Sequence, residues 1–275
     1  MPVVEPSELL SLAVDLARRA SVGISEQREA AVASVETKST PTDPVTEADR
    51  AAERFVVEGL AAARPGDLVL GEEGGFRPVG SEAAPDAVRW LLDPIDGTVN
   101  FVYGIPAYAV SLAAEVDGVV VAGVVRNVVT GEEWTAVRGG GSWRDGARLT
   151  GSAVTSLGGA LVGTGFGYAP QRRREQAQVL LRVLPEIRDI RRIGSAALDL
   201  CAAAEGRIDA YYERGLNPWD RAAGGLIAEE AGLLVTGLRG AEPGEAMTLA
   251  APPALHGPLH DLLAPLHDAN GQPAD

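Results

Sequence analysis

Cysteine occurs once in the 275 residues, as Cys201. No disulfide can form within the chain, and a reducing compartment, the cytoplasm, is the expected location. Lysine also occurs once, as Lys38, so any chemistry that needs a lysine must use it. The three histidines, His256, His260 and His267, all fall near the C-terminus, away from the other candidate groups. That argues against a Ser-His-Asp hydrolase and against a His-ligated zinc site. No apolar run approaches the ~20 residues that span a bilayer. Met1 to Pro6 lacks the charged and apolar regions of a signal peptide, so no membrane partner is expected. Basic residues are outnumbered by acidic ones, 24 to 38, giving a net charge of −14. A phosphate backbone would be repelled, which argues against a nucleic-acid partner held by a basic face. The same excess suits an acidic site neutralised by bound cations.

The length fits one large domain or two subdomains sharing a core. Helical spacing runs from Ser7, a candidate N-cap, to about residue 34, with Gly23 as a weak point. Residues 35–38 read as extended, and Ser39–Pro44 as turn-rich. A second helix runs from Thr46 to Ala63, and a short strand covers Leu68–Leu70. Period-two runs at Ala107–Val116, Val119–Val128 and Glu132–Val137, with turns at Asp117-Gly118, Thr130-Gly131 and Asp145-Gly146, predict an antiparallel meander. A boundary near Gly151-Ser152 gives an N-terminal α+β subdomain, 1–150, and a C-terminal α/β subdomain, 151–275. In the latter, strands at 160–164, 187–193, 208–212, 233–236 and 247–250 alternate with helices at 172–184, 195–204 and from Pro218. A last helix covers 253–263, and Asp268–Asp275 reads as a frayed tail. Cys201, in an Ala-rich helix, reads as a small core residue.

The stretch Arg89–Phe101 organises the rest. Trp90-Leu91-Leu92 reads as the end of a buried strand. Asp93 and Asp96 follow, with Pro94 stiffening the backbone between them. Gly97-Thr98 offers backbone N–H groups at a possible helix start, where an anion is held by aligned dipoles. The same Asp-Pro and Asp-Gly pairs are also common in plain turns.

Three more carboxylates have two readings each. Asp49 reads first as the reciprocal partner of Thr46 in a capping box, and second as a functional carboxylate. Glu72, between glycines, can approach another segment or belong to an exposed acidic loop. Asp220 follows Asn217-Pro218, a helix start, where the macrodipole favours its ionised form whether or not it binds a cation. If Glu72, Asp93, Asp96 and Asp220 converge, each pair ~4 Å apart repels by roughly 4 kcal/mol at an effective dielectric near 20. Two divalent cations would balance them, and an all-oxygen ligand set points to Mg²⁺. Such a pair suits hydrolysis of a phosphate ester. The Asp-nucleophile phosphatase motif matches poorly, because its carboxylates stand two residues apart and its lysine lies downstream.

Four blocks, Lys38–Asp49, Gly71–Glu73, Trp90–Phe101 and Asn217–Gly232, resemble the inositol monophosphatase family over nearly the whole chain. Arg192–Ala197 and Tyr211–Glu213 add to the match. The resemblance implies a layered α-β-α-β-α sandwich and Mg²⁺-dependent, lithium-sensitive hydrolysis of a small-molecule phosphomonoester, with myo-inositol monophosphate as the leading substrate. By motif position, Glu72, Asp93 and the Ile95 carbonyl would hold one metal, and Asp93, Asp96 and Asp220 a second. Thr98, paired with Asp49, would orient the water near Glu72. The Gly97 and Thr98 amides would hold phosphate, and Ala196 and Glu213 would face the alcohol, beside Asp96 and Asp220. A homodimer is the family's common assembly. Relatives acting on a 3′,5′-bisphosphate nucleotide, histidinol phosphate or fructose 1,6-bisphosphate are the alternatives, with Arg172–Arg174 as a possible extra cationic contact or a solvated helix start. A non-catalytic metal- or sugar-phosphate-binding regulator is the alternative of another class. The fourth block departs from the family's Glu-Ala-Gly-Gly ending with Leu233. Arg221, next to Asp220, reads as solvated or as a substrate contact.

Overall fold

The period-two segments form the centre of an eight-stranded sheet in the computed structural model, which describes residues 5–38, 44–79, 84 and 87–267. The expected turn at Ser39–Asp43 and the tail from Asp268 lie outside the described residues. Helix α1 (Pro6–Val32) runs unbroken through Gly23 and starts two residues earlier than a Ser7 cap would place it. Glu5, not Ser7, is its N-cap, because Pro6 takes the first helical position, where its missing N–H costs nothing. Strands β1 (Glu36–Thr37) and β2 (Pro44–Val45) pair antiparallel and lead into α2 (Glu47–Ala63). The large sheet follows, with β3 (Leu68–Gly71), β4 (Gly75–Pro78), β5 (Arg89–Asp96), β6 (Ala109–Val116), β7 (Val119–Asn127), β8 (Glu133–Val137), β9 (Gly141–Arg144) and β10 (Ala147–Arg148). Its order is β10-β9-β8-β7-β6-β5-β3-β4, and α3 (Thr98–Tyr103) follows β5 directly. Strand β4 was not expected; its glycine-rich entry and the proline at its end hide the pattern.

A five-stranded sheet is built from β11 (Leu161–Thr164), β12 (Asp189–Arg191), β13 (Ala210–Glu213), β14 (Leu234–Thr236) and β15 (Thr248–Ala251), in the order β12-β11-β13-β15-β14. The helices between them are α4 (Pro170–Val183), α5 (Ala196–Glu205), α6 (Pro218–Glu230) and α7 (Pro253–Leu263).

Three apolar clusters define five layers. Leu9, Leu16 and Ile24 of α1 and Val56 and Leu60 of α2 cover one face of the large sheet, against Trp90, Leu92, Val110, Leu112 and Val124. Its other face, with Leu91, Ala109, Ala113 and Val125, packs on α5 and α6, which also cover Tyr211 and Ala250 of the small sheet. The far face of the small sheet, with Val162, Tyr212 and Leu249, is closed by Val179 and Val183 of α4 and Leu255, Leu259 and Leu263 of α7. The order is helices, sheet, helices, sheet, helices: the expected α-β-α-β-α sandwich. The large sheet is buried on both faces, so residues of both parities in its central strands β5 and β6 are buried. No described helix is long and apolar enough to cross a membrane.

Candidate active site

Strand β5 continues past Leu92 and carries both aspartates. It pairs in parallel with β3 and antiparallel with β6. On a regular strand, residues three apart point to opposite faces, so Asp93 and Asp96 should diverge. The pairing with β6 shows why they do not. Asp93 lies opposite Ser111 and Asp96 opposite Ala109, three steps on one strand against two on the other. This is a β-bulge, and it inserts one residue and resets the alternation. Pro94, with no N–H to give to the ladder, is suited to such a place. Trp90 and Leu92 face α1 and α2, and so does Ile95, an odd-numbered residue. Both aspartates are thereby left on the side of α5 and α6.

The other parts come to the same end of the sheet. Glu72 follows β3, and its N–H donates to Leu92 O at 3.2 Å, which sets it beside Asp93. Ser111 Oγ donates to Trp219 O at 3.2 Å, which ties the start of α6, and with it Asp220, to the strand opposite Asp93. Asp220 also completes a capping box, accepting Asn217 N–H at 2.7 Å. Glu72, Asp93, Ile95, Asp96, Gly97, Thr98, Ala196, Glu213 and Asp220 all line one cavity of about 550 Å³. Asp49 does not line it. It is fully buried behind Thr98, whose Oγ1 lies 3.4 Å from Asp49 Oδ1 and 3.2 Å from Ile95 O. Asp49 is also the capping residue, with Thr46 N and Oγ1 at 2.8 and 2.6 Å from its Oδ2. Both readings of Asp49 are structurally compatible, because each uses a different oxygen.

Gly97 stands at φ +96°, in the left-handed region, and a Cβ there would lie 2.9 Å from Ala107 O. Only glycine makes this turn from β5 into α3 without strain. Asp96 is held by two neutral donors, Ser195 Oγ at 2.6 Å and Ala197 N–H at 2.7 Å. Asp93 Oδ1 accepts the Ile95 N–H at 3.0 Å. Ser195, the N-cap of α5, is a positioning residue that the sequence reading missed; its place as a serine directly before an Ala-rich helix was the available signal. Arg172, Arg192 and Arg214 also line the cavity, while Arg173 lines a separate recess and Arg174 bonds Gln171. Arg221 lies outside the cavity, in another recess with Arg138 and Glu229.

The electrostatics are those of crowded carboxylates. Asp93 is pushed well above the usual range by burial first, then by Glu72, Asp96 and Asp220. Asp220 moves the same way, by burial and then by Asp96 and Glu72. Burial lifts Asp96 to about 6, against the pull of Ser195 and Ala197. Burial likewise raises Asp49 to about 6 and Glu213 to about 7. Lys38 bridges Glu72, at 2.8 Å, and Glu73. As they stand, no three His, Cys, Asp or Glu side chains among the described residues are drawn around one point closely enough to hold a metal. Four carboxylates, a backbone carbonyl and no nitrogen or sulfur donor form a set suited to a hard divalent cation, and its charge would reverse these shifts.

Residues 5–270 match the inositol monophosphatase family. The chain belongs to that family. It is 49% identical over 287 aligned positions to the inositol-1-monophosphatase SuhB of Mycobacterium tuberculosis, covering 98% of this chain and 97% of that one. The solved structure of M. tuberculosis SuhB superposes with a TM-score of 0.79 at 42% identity, covering 95% and 98% of the two chains. The Thermotoga maritima IMPase gives 0.83 at 32% identity, over 93% and 96%. A relative from Vibrio cholerae, called Nus factor SuhB, is 39% identical over 84% of this chain and 86% of its own. This member of the inositol monophosphatase family is an enzyme, a phosphoric monoester hydrolase.

Proposed function

We propose that the protein hydrolyses myo-inositol monophosphate to inositol and phosphate at this cavity, with Mg²⁺ as the metal. The observation that supports the reading most is the bulge in β5, which turns Asp93 and Asp96 to one side, beside Glu72 and Asp220. In the proposed arrangement, Glu72, Asp93 and the Ile95 carbonyl hold one ion, and Asp93, Asp96 and Asp220 a second. When bound, the metal supplies a more acidic water and neutralises charge on the phosphate. The chain does the rest. The Gly97 and Thr98 N–H groups donate to phosphate oxygens and fix the phosphorus. The Thr98 hydroxyl has one proton and donates it toward Asp49, which turns an oxygen lone pair to the attacking water. Glu72 accepts a proton from that water as the new P–O bond forms and the ester P–O bond breaks, the departing oxygen takes a proton from solvent, and Glu213 and Ala196 face the alcohol so formed.

A substrate panel with Mg²⁺ tests this. Inositol 1-phosphate is expected to turn over faster than a 3′,5′-bisphosphate nucleotide, histidinol phosphate or fructose 1,6-bisphosphate; a bisphosphate turned over far faster would replace the leading substrate. Lithium is expected to inhibit by competing at a metal position. The intact carboxylate set favours an enzyme over a non-catalytic regulator, the reading that the Vibrio relative's name brings to mind. Mg²⁺ binding with no turnover of any phosphomonoester would favour the regulator. We also propose a cytoplasmic homodimer and a division of the chain near residue 150. Light scattering on a sizing column measures the oligomeric state.

A further inference from the structure

The turn that presents Glu72 is fastened by a buried carboxylate that the chemistry above does not use. Glu53, on α2, is 2% exposed. Its Oε2 accepts the backbone N–H of Glu73 at 2.8 Å, and its Oε1 accepts from Arg77 Nη2, on β4, at 2.7 Å. The turn is shaped to receive it. A Cβ on Gly71 would lie 2.6 Å from Glu53 Oε2, and one on Gly74 would lie 2.5 Å from Oε1. The acidic side chains of the turn cannot fix one another, because Glu72 repels Glu73. Their shared cation, Lys38, holds side chains rather than the backbone. The turn's backbone is held at Glu72 by Leu92 O and, one residue on, by the Glu53 side chain at Glu73.

Glu53 stands four residues after Asp49, so the two lie on one face of α2, one turn apart. Both are buried. That face therefore meets Thr98 through Asp49 and the Glu72 turn through Glu53. We infer that Glu53 is a positioning residue for the metal site: it sets the height of the turn, and so the place of the Glu72 carboxylate relative to Asp93 and Thr98. This rests on the reading of Glu72 as a metal ligand. Both Glu53 oxygens accept from N–H donors. An amide at this position has one acceptor, so it keeps one bond and sets its own N–H₂ against the other donor. The pair Glu53–Arg77 is thus sensitive to a change that leaves size and shape almost untouched.

The test is calorimetric titration of Mg²⁺ into the metal-free full chain, beside rate against Mg²⁺ concentration and Tm, for the wild type, Glu53→Gln, Arg77→Met and Asp93→Asn. Glu53→Gln is expected to weaken Mg²⁺ binding by about 10-fold or more, the range for losing a group that orients a ligand. The larger loss should fall on Mg²⁺ affinity and the smaller on the maximal rate. Arg77→Met keeps the bond to Glu73, so it should shift affinity in the same direction by less, and it serves if Glu53→Gln does not fold. Mg²⁺ affinity within about twofold of wild type in whichever of these variants folds, with Tm alone lowered, overturns the inference. Asp93→Asn separates the two ideas. If it binds Mg²⁺ and turns over like wild type, the metal-site reading fails; if it alone loses binding, only the role of Glu53 fails.

Discussion

Asp93 and Asp96 stand three residues apart on one strand and line the same cavity, because a bulge between them resets the alternation of β5. The site depends on that extra residue. Without the bulge, the same residues in regular alternation would put Asp96 on the face that Ile95 now occupies among α1 and α2. Both carboxylates then receive their orientation from neutral donors, Ile95 N–H for Asp93 and Ser195 with Ala197 for Asp96. Neutral donors orient an oxygen without cancelling its charge, which stays available to a cation.

Asp93→Asn removes the charge assigned to both metals and keeps the shape. Its residual kcat is expected to lie more than about 100-fold below wild type, since even an outer partner of a ligand costs up to that much. Far-ultraviolet circular dichroism should be unchanged. The assay is phosphate release at saturating Mg²⁺, and near-normal turnover would contradict the two-metal reading.

Ser195→Ala separates a cap from a ligand support. The hydroxyl accepts Leu198 N–H at 3.3 Å and donates to Asp96. Loss of the cap is expected to cost ~1 kcal/mol of stability. Loss of the donor should also weaken Mg²⁺ binding by roughly 10-fold. Chemical denaturation measures the first and calorimetry the second, and a stability loss with unchanged Mg²⁺ affinity would leave Ser195 as a cap alone.

Much of this was readable beforehand, and what was missed has physical causes. The meander, the capping box at Thr46 and Asp49 and the helix start at Asn217-Pro218 follow from local chemistry, and each appears in the structure. The bulge is not local. Asp93 and Asp96 read the same way in a turn, a strand end or a bulge, and only the register against Ser111 and Ala109 decides. Ser195 and Glu53 were missed because their partners lie about 100 and 20 residues away. Arg172 and Arg192 were legible as charges, but no spacing rule says which arginine of a run turns inward.

Gly97→Ala tests the turn itself. The added Cβ meets Ala107 O at 2.9 Å and Gly194 O at 3.2 Å, and φ is +96°. A strained residue of this kind costs on the order of 1–3 kcal/mol. Turnover should fall further than stability alone explains at a temperature where the variant is folded, because the Gly97 and Thr98 N–H groups move together. Tm and kcat, measured side by side, check it.

The last expectation concerns pH. Asp49 and Asp96 are raised to about 6 and Glu213 to about 7, in each case by burial first. A carboxyl whose folded pKa exceeds its unfolded one binds its proton more tightly when folded. Its stabilising contribution is complete below about 4 and is lost as pH rises through 6 to 7. His256, which burial shifts downward, works in the opposite direction, losing stability as pH falls. The metal-free protein should therefore lose Tm between pH 5 and 7.5 through these acids, and added Mg²⁺ should restore more of it at the higher pH, since cation and proton compete for Asp96. Asp96→Asn supplies the control. It removes one titrating acid and leaves His256 in place, so its metal-free Tm should fall less over the same interval. An equal fall in wild type and variant would show that Asp96 does not carry the effect.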